Sequence, residues 1–149
     1  MTLKQTIERI QSLSLAHEQI KSFYFGMPTD FLTDRKTELP AILVQDLPGT
    51  IDWSRKETVY PLKIYLVGYV EATSEIKATD ELQVQSDMTL VGHYIIAEMN
   101  SNSYTDWAVQ TTSSFTLLRE EFDDLVAGVV IDTQIRTPYT SDICEPLTY

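Results

Sequence analysis

The sequence predicts an α+β fold, with a mainly antiparallel sheet of about four to five strands and two helices packed on one face. Two observations predict this fold. Two amphipathic helical segments stand far apart in the chain, and the segments between and after them alternate apolar and polar residues with the period of strands. A helix that buries one stripe and a sheet that buries one face cover each other most simply as two layers.

The first helix is predicted over residues 3–16. Thr2 and Gln5 fit a capping box, in which each side chain accepts a hydrogen bond from the backbone N–H of the other residue. Apolar residues then recur at helical spacing. They are Leu3, Ile7, Ile10 and Leu13.

The second helix is predicted from about residue 80 to 99, with Thr79 or Asp80 as its N-cap. Its apolar stripe consists of Val84, Met88, Val91, Ile95 and Met99, and is widened by Leu82, Leu90 and Ile96. This stripe is predicted to pack against the sheet.

Extended segments predict the strands of the sheet. They cover residues 20–25, 40–44, 62–71, 115–122 and 125–136, and the last two are predicted to form a hairpin around Asp123-Asp124. Residues 49–58 and 103–113 are predicted to be loops. Gly128, in the middle of the last strand, indicates a bulge or close packing at that position.

The 149 residues predict one domain over residues 1–138, followed by an extended tail over residues 139–149. The single cysteine, Cys144, has no partner for an internal disulfide and fits a reducing cytoplasm. The N-terminal residues lack the apolar core of a signal peptide, and no apolar run approaches membrane-spanning length. We therefore expect no membrane partner.

Charge is unevenly distributed along the chain, whose net charge is −11. Residues 1–77 carry nine basic and ten acidic side chains, whereas residues 78–149 carry two basic and twelve acidic ones. Tight binding to a phosphate backbone needs clustered Lys and Arg, so we expect no tight nucleic-acid binding. The acidic half is either a solvated face or a surface that repels nucleic acid or meets a basic partner.

The chain contains no recognisable pattern of catalytic or ligand-binding residues. His93 lies within the second predicted helix, where the positions four residues away, Thr89 and Ala97, supply no metal ligand. A core or interface position is therefore predicted for His93. The five glycines are scattered singly and form no phosphate-binding loop. We therefore predict a protein that is not an enzyme and has no catalytic residue, metal site or cofactor.

Several apolar and aromatic residues are candidates for a protein interface. Trp53, Tyr104 and Trp107 lie in predicted loops, where such residues can anchor a partner. Tyr65, Val67 and Tyr69 lie on the second face of the strand predicted over residues 62–71. A position at the edges of the core fits the aromatic residues equally well, and the sequence leaves this choice open.

The order of these segments resembles that of a known family. Residues 19–26 and 39–44, the long strand and helix, and the closing strand 125–132 with its following Pro138 are similar in order to tail terminators of tailed bacteriophages, also called tail-to-head joining or tail completion proteins. The late segment Asp142-Ile143-Cys144 adds to the resemblance. The resemblance covers most of the chain by element order, and no single motif carries it.

The resemblance implies a structural virion protein that is assembled in the host cytoplasm. Such a protein forms a homo-oligomeric ring, usually a hexamer, at the head–tail junction, where it terminates the tail tube and joins it to the neck or connector proteins. Two alternatives remain open. One is another phage neck, head-completion or baseplate subunit, and the other is a cytosolic small binding module.

Overall fold

The structure, a computed structural model, describes residues 2–28, 38–70, 77–101, 103–119 and 126–139, and the side chains of residues 77–79 are not described. The helices are α1 (Leu3–Leu15) and α2 (Lys77–Met99). The strands are β1 (Ser22–Phe25), β2 (Ala41–Asp46), β3 (Thr50–Asp52), β4 (Glu57–Tyr69), β5 (Ala108–Val109), β6 (Ser114–Arg119) and β7 (Val126–Pro138).

All seven strands belong to one open sheet. β4 and β7 pair antiparallel along their full length, from Glu57 opposite Pro138 to Tyr69 opposite Val126, and form the central pair. β2 and β3 pair with the other side of β4, whereas β6 and β5 pair with the other side of β7. β1 pairs with β2 in parallel, so the sheet is mixed.

Gly128 allows the two strands of the central pair to lie close together. A Cβ atom at this position would lie 1.8 Å from the carbonyl oxygen of Leu66 and 3.0 Å from the Cα atom of Val67. Both are backbone atoms, which cannot rotate away. The close packing that the sequence indicated at Gly128 is therefore confirmed.

Both helices pack into the apolar core on one face of the sheet, which we call the helix-covered face. The core joins Ile7 and Ile10 of α1 to the stripe of α2 and to the inward residues of β2, β4 and β7. α1 begins with the predicted capping box, in which Gln5 N–H donates to Thr2 Oγ1 at 3.2 Å and Thr2 N–H donates to Gln5 Oε1 at 2.9 Å.

The opposite face of the sheet carries a second, smaller apolar cluster. Its buried members are Ala41, Leu43, Val67, Leu118 and Val130. The half-buried side chains of Tyr24, Leu39 and Tyr65 pack against it. The central strands therefore bury apolar residues on both faces, which explains why both sets of alternating residues in β4 are largely apolar.

The α+β class and the two helices are confirmed, and the strand count is the main correction. Within the described residues the sheet has seven strands rather than four to five; it is mainly antiparallel, as predicted, and one pair, β1 with β2, is parallel. The two extra strands, β3 and β5, are only three and two residues long. Such short strands gain most of their stability from the long strand beside them, so the local sequence hardly signals them.

The loop predicted over residues 49–58 is a hairpin between β3 and β4. Asp52 organises its turn, because its Oδ1 atom accepts hydrogen bonds from Ser54 N–H and Arg55 N–H at 3.1 Å each and from Ser54 Oγ at 2.7 Å. The Ser54 hydroxyl, followed by the Arg55 N–H, lowers the pKa of Asp52. This aspartate turn was not recognised in the sequence.

Helix α2 differs from its prediction at its start and along one side. It begins at Lys77, about one turn before the predicted N-cap. Leu82 and Leu90 do not widen the buried stripe, because both are exposed. The predicted turn at Asp123-Asp124 and residues 140–149 of the predicted tail lie outside the described residues.

Candidate assembly surfaces

The three candidates on strand β4 have three different environments. Val67 is buried in the second apolar cluster, so its side chain cannot contact another protein while the chain is folded. Tyr65 is half-buried against the same cluster, and its hydroxyl donates to Gln45 Oε1 at 3.1 Å. Tyr69 is largely exposed at the end of the strand. Of these three residues, only Tyr69 offers most of its side chain as a contact surface.

Trp107 is a core residue, which corrects its prediction as an interface candidate and favours the alternative in which it packs on the core. Its side chain is buried, and its Nε1–H donates to the carbonyl of Met99 at 3.0 Å. Met99 is the last residue of α2, where carbonyl groups lack partners within the helix. The indole N–H therefore gives a hydrogen-bond partner to the last carbonyl of α2, and the indole ring packs in the core.

Tyr104 belongs to a cluster that fastens the segment before β5 to helix α1, and we call it the Arg9 clamp. Arg9 Nη1 and Nη2 donate to Asp106 Oδ1 at 2.6 Å and Oδ2 at 2.9 Å. The guanidinium carbon lies 4.4 Å from the Tyr104 ring centroid and 4.8 Å from that of Trp107. The two rings pack edge to face, with centroids 5.6 Å apart.

The charges of the Arg9 clamp stabilise each other. The hydrogen bond from Arg9 is the main cause that lowers the pKa of Asp106, and the same bond raises the pKa of Arg9. Asp106 is half-exposed, so solvent screens this attraction. The clamp is consistent with a structural role, in which Tyr104 covers an edge of the core.

Trp53 is the most exposed of the candidates. It lies in the turn between β3 and β4, and its side chain is 74% exposed. Its ring meets that of Tyr139 edge to face, with centroids 5.9 Å apart. Both rings therefore lie at the same end of the central pair, where Tyr139 N–H donates to the Lys56 carbonyl at 3.0 Å.

The outermost strands carry apolar residues that the sequence analysis did not single out. Phe115 and Leu117 of β6 are 56% and 39% exposed, and Phe25 of β1 is 40% exposed. Within the described residues, β6 pairs only with β7 and β1 pairs only with β2. We call β1 and β6 the open edges. Alternation in Phe115-Thr116-Leu117 signals a strand, but only the sheet order reveals that this strand lies at an edge.

A groove of about 320 Å³ separates α2 from β6, and we call it the α2–β6 groove. It is lined by Thr89, His93, Ile96, Ala97, Asn100, Gln110, Thr111, Ser113, Phe115, Val129 and Ile131. His93 is exposed at this groove, so the core alternative of its prediction is wrong and the interface alternative stays a prediction. The lining combines apolar side chains with hydroxyl, amide and imidazole groups.

The described part of the chain contains no group of metal ligands and no helix able to span a membrane. There, no three His, Cys, Asp or Glu residues are grouped as a metal site would require. Neither α1 nor α2 is both long and apolar enough to cross a membrane.

Comparison with known proteins does not assign the chain to a family. No family model matches it, and no curated protein shows significant similarity to it. The described residues form an α+β fold whose sheet has two open edges, β1 and β6.

Proposed function

We propose that this protein is a structural virion component of a tailed bacteriophage, and that it forms a ring at the head–tail junction. In this role it terminates the tail tube and joins it to the neck. Its partners are further copies of itself, the tail tube and the neck proteins. The ring is most simply a closed cyclic oligomer, for which six subunits are expected from the resemblance.

The observation that carries this proposal is the form of the sheet. Its two open edges lie at opposite ends of one sheet, and both present partly exposed apolar side chains. Natural proteins usually protect such edges, because an exposed apolar strand tends to pair with another chain. A ring subunit needs two different contact surfaces that repeat around an axis. The element order on which the family resemblance depends, from α1 to the β6–β7 hairpin, supports the same role.

The charge distribution supports a ring through which DNA can pass. The acidic excess of residues 78–149 opposes tight contacts with phosphates. We expect no retention of duplex DNA by the purified protein at physiological salt. Binding at micromolar concentration in a gel-shift assay would count against this role.

Electron microscopy of the protein mixed with tail tubes tests the proposal directly. One ring at the end of each tube is the expected result. Density along the whole tube, or no association with tubes, would contradict it. Trp53→Ala is a useful variant, since it removes the most exposed aromatic candidate, and Ile51→Ala in the same hairpin is its matched control. A tube contact through Trp53 predicts a loss of binding in the first variant only.

The α2–β6 groove favours a second candidate function, a cytosolic module that binds a small molecule. Its volume falls within the range of small-molecule sites, about 300–1,000 Å³. Ligand screening by thermal shift distinguishes this function. A stabilising compound that loses its effect in Ala97→Trp, which fills the groove, would favour the binding module over the virion role.

A further inference from the structure

The backbone groups of β6 show which of its residues can pair with another strand. Hydrogen bonds in an antiparallel pair alternate between the two sides of each strand. Gln110 N–H donates to the Gln134 carbonyl at 2.9 Å. The backbone N–H and C=O groups of the even-numbered residues of β7 therefore point toward β5 and β6. Phe115 and Leu117 lie opposite odd-numbered residues of β7. Their N–H and C=O groups therefore point away from the sheet.

The same reasoning applies to β1 at the other end of the sheet. Gly26 N–H donates to the Val44 carbonyl at 3.1 Å, so the backbone N–H and C=O groups of the even-numbered residues of β1 point toward β2. Phe23 and Phe25 therefore direct their N–H and C=O groups outward. Both open edges thus offer a row of backbone donors and acceptors that no described strand uses.

The exposed side chains of the two edges lie on the same face of the sheet. Phe115 and Leu117 lie opposite Ile131 and Val129, and Phe25 lies opposite Val44. All three of these partner residues belong to the core on the helix-covered face. If β6 of one copy pairs with β1 of another, the two sheets form one continuous sheet. The exposed apolar side chains of β6 and β1 then lie on the same face of that sheet.

Strand directions favour pairing between two copies of the chain. β1 runs parallel to β2, and each further step to β4, β7 and β6 reverses direction, so β6 runs antiparallel to β1. A rotation about an axis along the strands preserves these directions. In successive copies of a ring, β6 of one subunit thus meets β1 of the next as an antiparallel pair, the more stable arrangement.

We propose that the subunits join by strand addition, in which β6 of one copy pairs antiparallel with β1 of the next copy and places Leu117 opposite Phe25. This proposal rests on the ring function proposed above and identifies the surface that forms the ring. The same register brings Phe115 beside the segment that follows β1, where Met27 is 53% exposed. Burial of apolar side chains along this contact favours the pairing.

Charge also favours this register. It places Arg119 opposite Phe23, so no basic residue lies directly across from the arginine. The register with Phe25 opposite Phe115 would instead place Arg119 opposite Lys21, and like charges directly opposite each other destabilise a strand pair.

A disulfide between the two edges tests the proposal. In a Cys144→Ser background, Phe25→Cys and Leu117→Cys are combined in one chain. Three strands separate β1 from β6 within a subunit, a distance of about 19 Å. A disulfide needs Cα atoms within about 7 Å, so any bond must join two chains. The control combines Phe25→Cys with Leu90→Cys, which lies on α2, away from the open edges, and is also exposed.

Oxidation of the first variant should give a ladder of covalent multimers that ends at the closed ring, and the control should not. Absence of cross-linked dimer at the highest soluble concentration, or an equal ladder from the control, would overturn the edge pairing. If the first variant forms rings at tube ends but gives no cross-link, the edge pairing is overturned and the virion function stands. Cross-linked rings that ignore tail tubes would support the edge pairing and contradict the virion function.

Leu117→Pro provides an independent measurement. It removes an outward N–H group while the inward bonds of β6 to β7 remain, and proline is tolerated at such edge positions. The dissociation constant for self-association should rise about tenfold or more. Leu117→Lys serves where the proline variant does not fold. Unchanged self-association in a folded variant of either kind would contradict the proposal.

Discussion

The central pair and the open edges show how differently strands of one sheet can be used. β7 buries most of its thirteen residues, whereas β6 beside it exposes five of its six. β4 and β7 are covered on the helix-covered face by α2, and they carry the second cluster on the other face. The centre of this sheet therefore stabilises the fold, whereas the strand at its edge leaves most of its side chains exposed.

The largest expected effect comes from a charge placed over the central pair. Met88 is buried between α2 and the sheet, where an aspartate would have no partner. Met88→Asp should lower the free energy of unfolding by about 3–5 kcal/mol, as for other unpaired buried charges. Leu90→Asp is the control, because Leu90 is 63% exposed on the same helix. Equal thermal midpoints for the two variants would show that the stripe is not buried.

Gly128→Ala should break the close approach of β4 and β7. The new Cβ atom would overlap the Leu66 carbonyl, so the strands must separate, with a loss of about 3 kcal/mol in chemical denaturation. Gly92→Ala gives the comparison, since its Cβ would meet the flexible end of Ile131 at 2.6 Å. The Gly92 variant should lose less stability. A larger loss there would place the tightest contact at the helix rather than within the central pair.

Trp107→Phe tests the end of α2 beside the central pair. The phenyl ring keeps most of the packing but cannot donate to the Met99 carbonyl. We expect a loss of about 1 kcal/mol, typical of one buried hydrogen bond. Tyr104→Phe is the control, since that variant keeps an aromatic ring in the Arg9 clamp. Equal stability of Trp107→Phe and wild type would show that the indole bond contributes nothing.

The Arg9 clamp predicts a small pH dependence of stability. The pKa of Asp106 is lower in the folded chain than its ordinary value of about 3.9. The contribution of ionised Asp106 to the free energy of unfolding is therefore complete above that value and is lost as the pH falls through the lowered pKa. Asp106→Asn should reduce the loss of stability at acid pH when thermal midpoints are compared between pH 7 and pH 2.5. An identical pH profile in both proteins would exclude this contribution.

The smallest effect on stability is expected at the open edge. Phe115→Lys should change the free energy of unfolding by less than about 0.5 kcal/mol, because the side chain is largely exposed. The same variant should weaken self-association, since edge lysines oppose strand pairing. A strongly destabilised monomer would show instead that Phe115 supports the fold.

The elements that the sequence predicted best carry their own local signals. The capping box of Thr2 and Gln5 marked the start of α1, and the period of 3.6 marked the buried stripe of α2. The alternation of β4 and β7 likewise predicted their strands, although β4 begins five residues before its predicted start and β7 ends two residues after its predicted end. The exposure of the interface candidates was less predictable. Exposure of Phe115 and burial of Trp107 depend on neighbours that are remote in the chain.

By itself, the sequence determined the α+β class, the two helices and the two long strands, because hydrophobic period and capping are local properties. Only the tertiary structure decided that β3 and β5 join the sheet, that β1 runs parallel to β2 and that Trp107 closes the end of α2. It also decided which strands lie at the edges. A strand becomes an edge through the order in which distant segments pair, and no single segment contains that information.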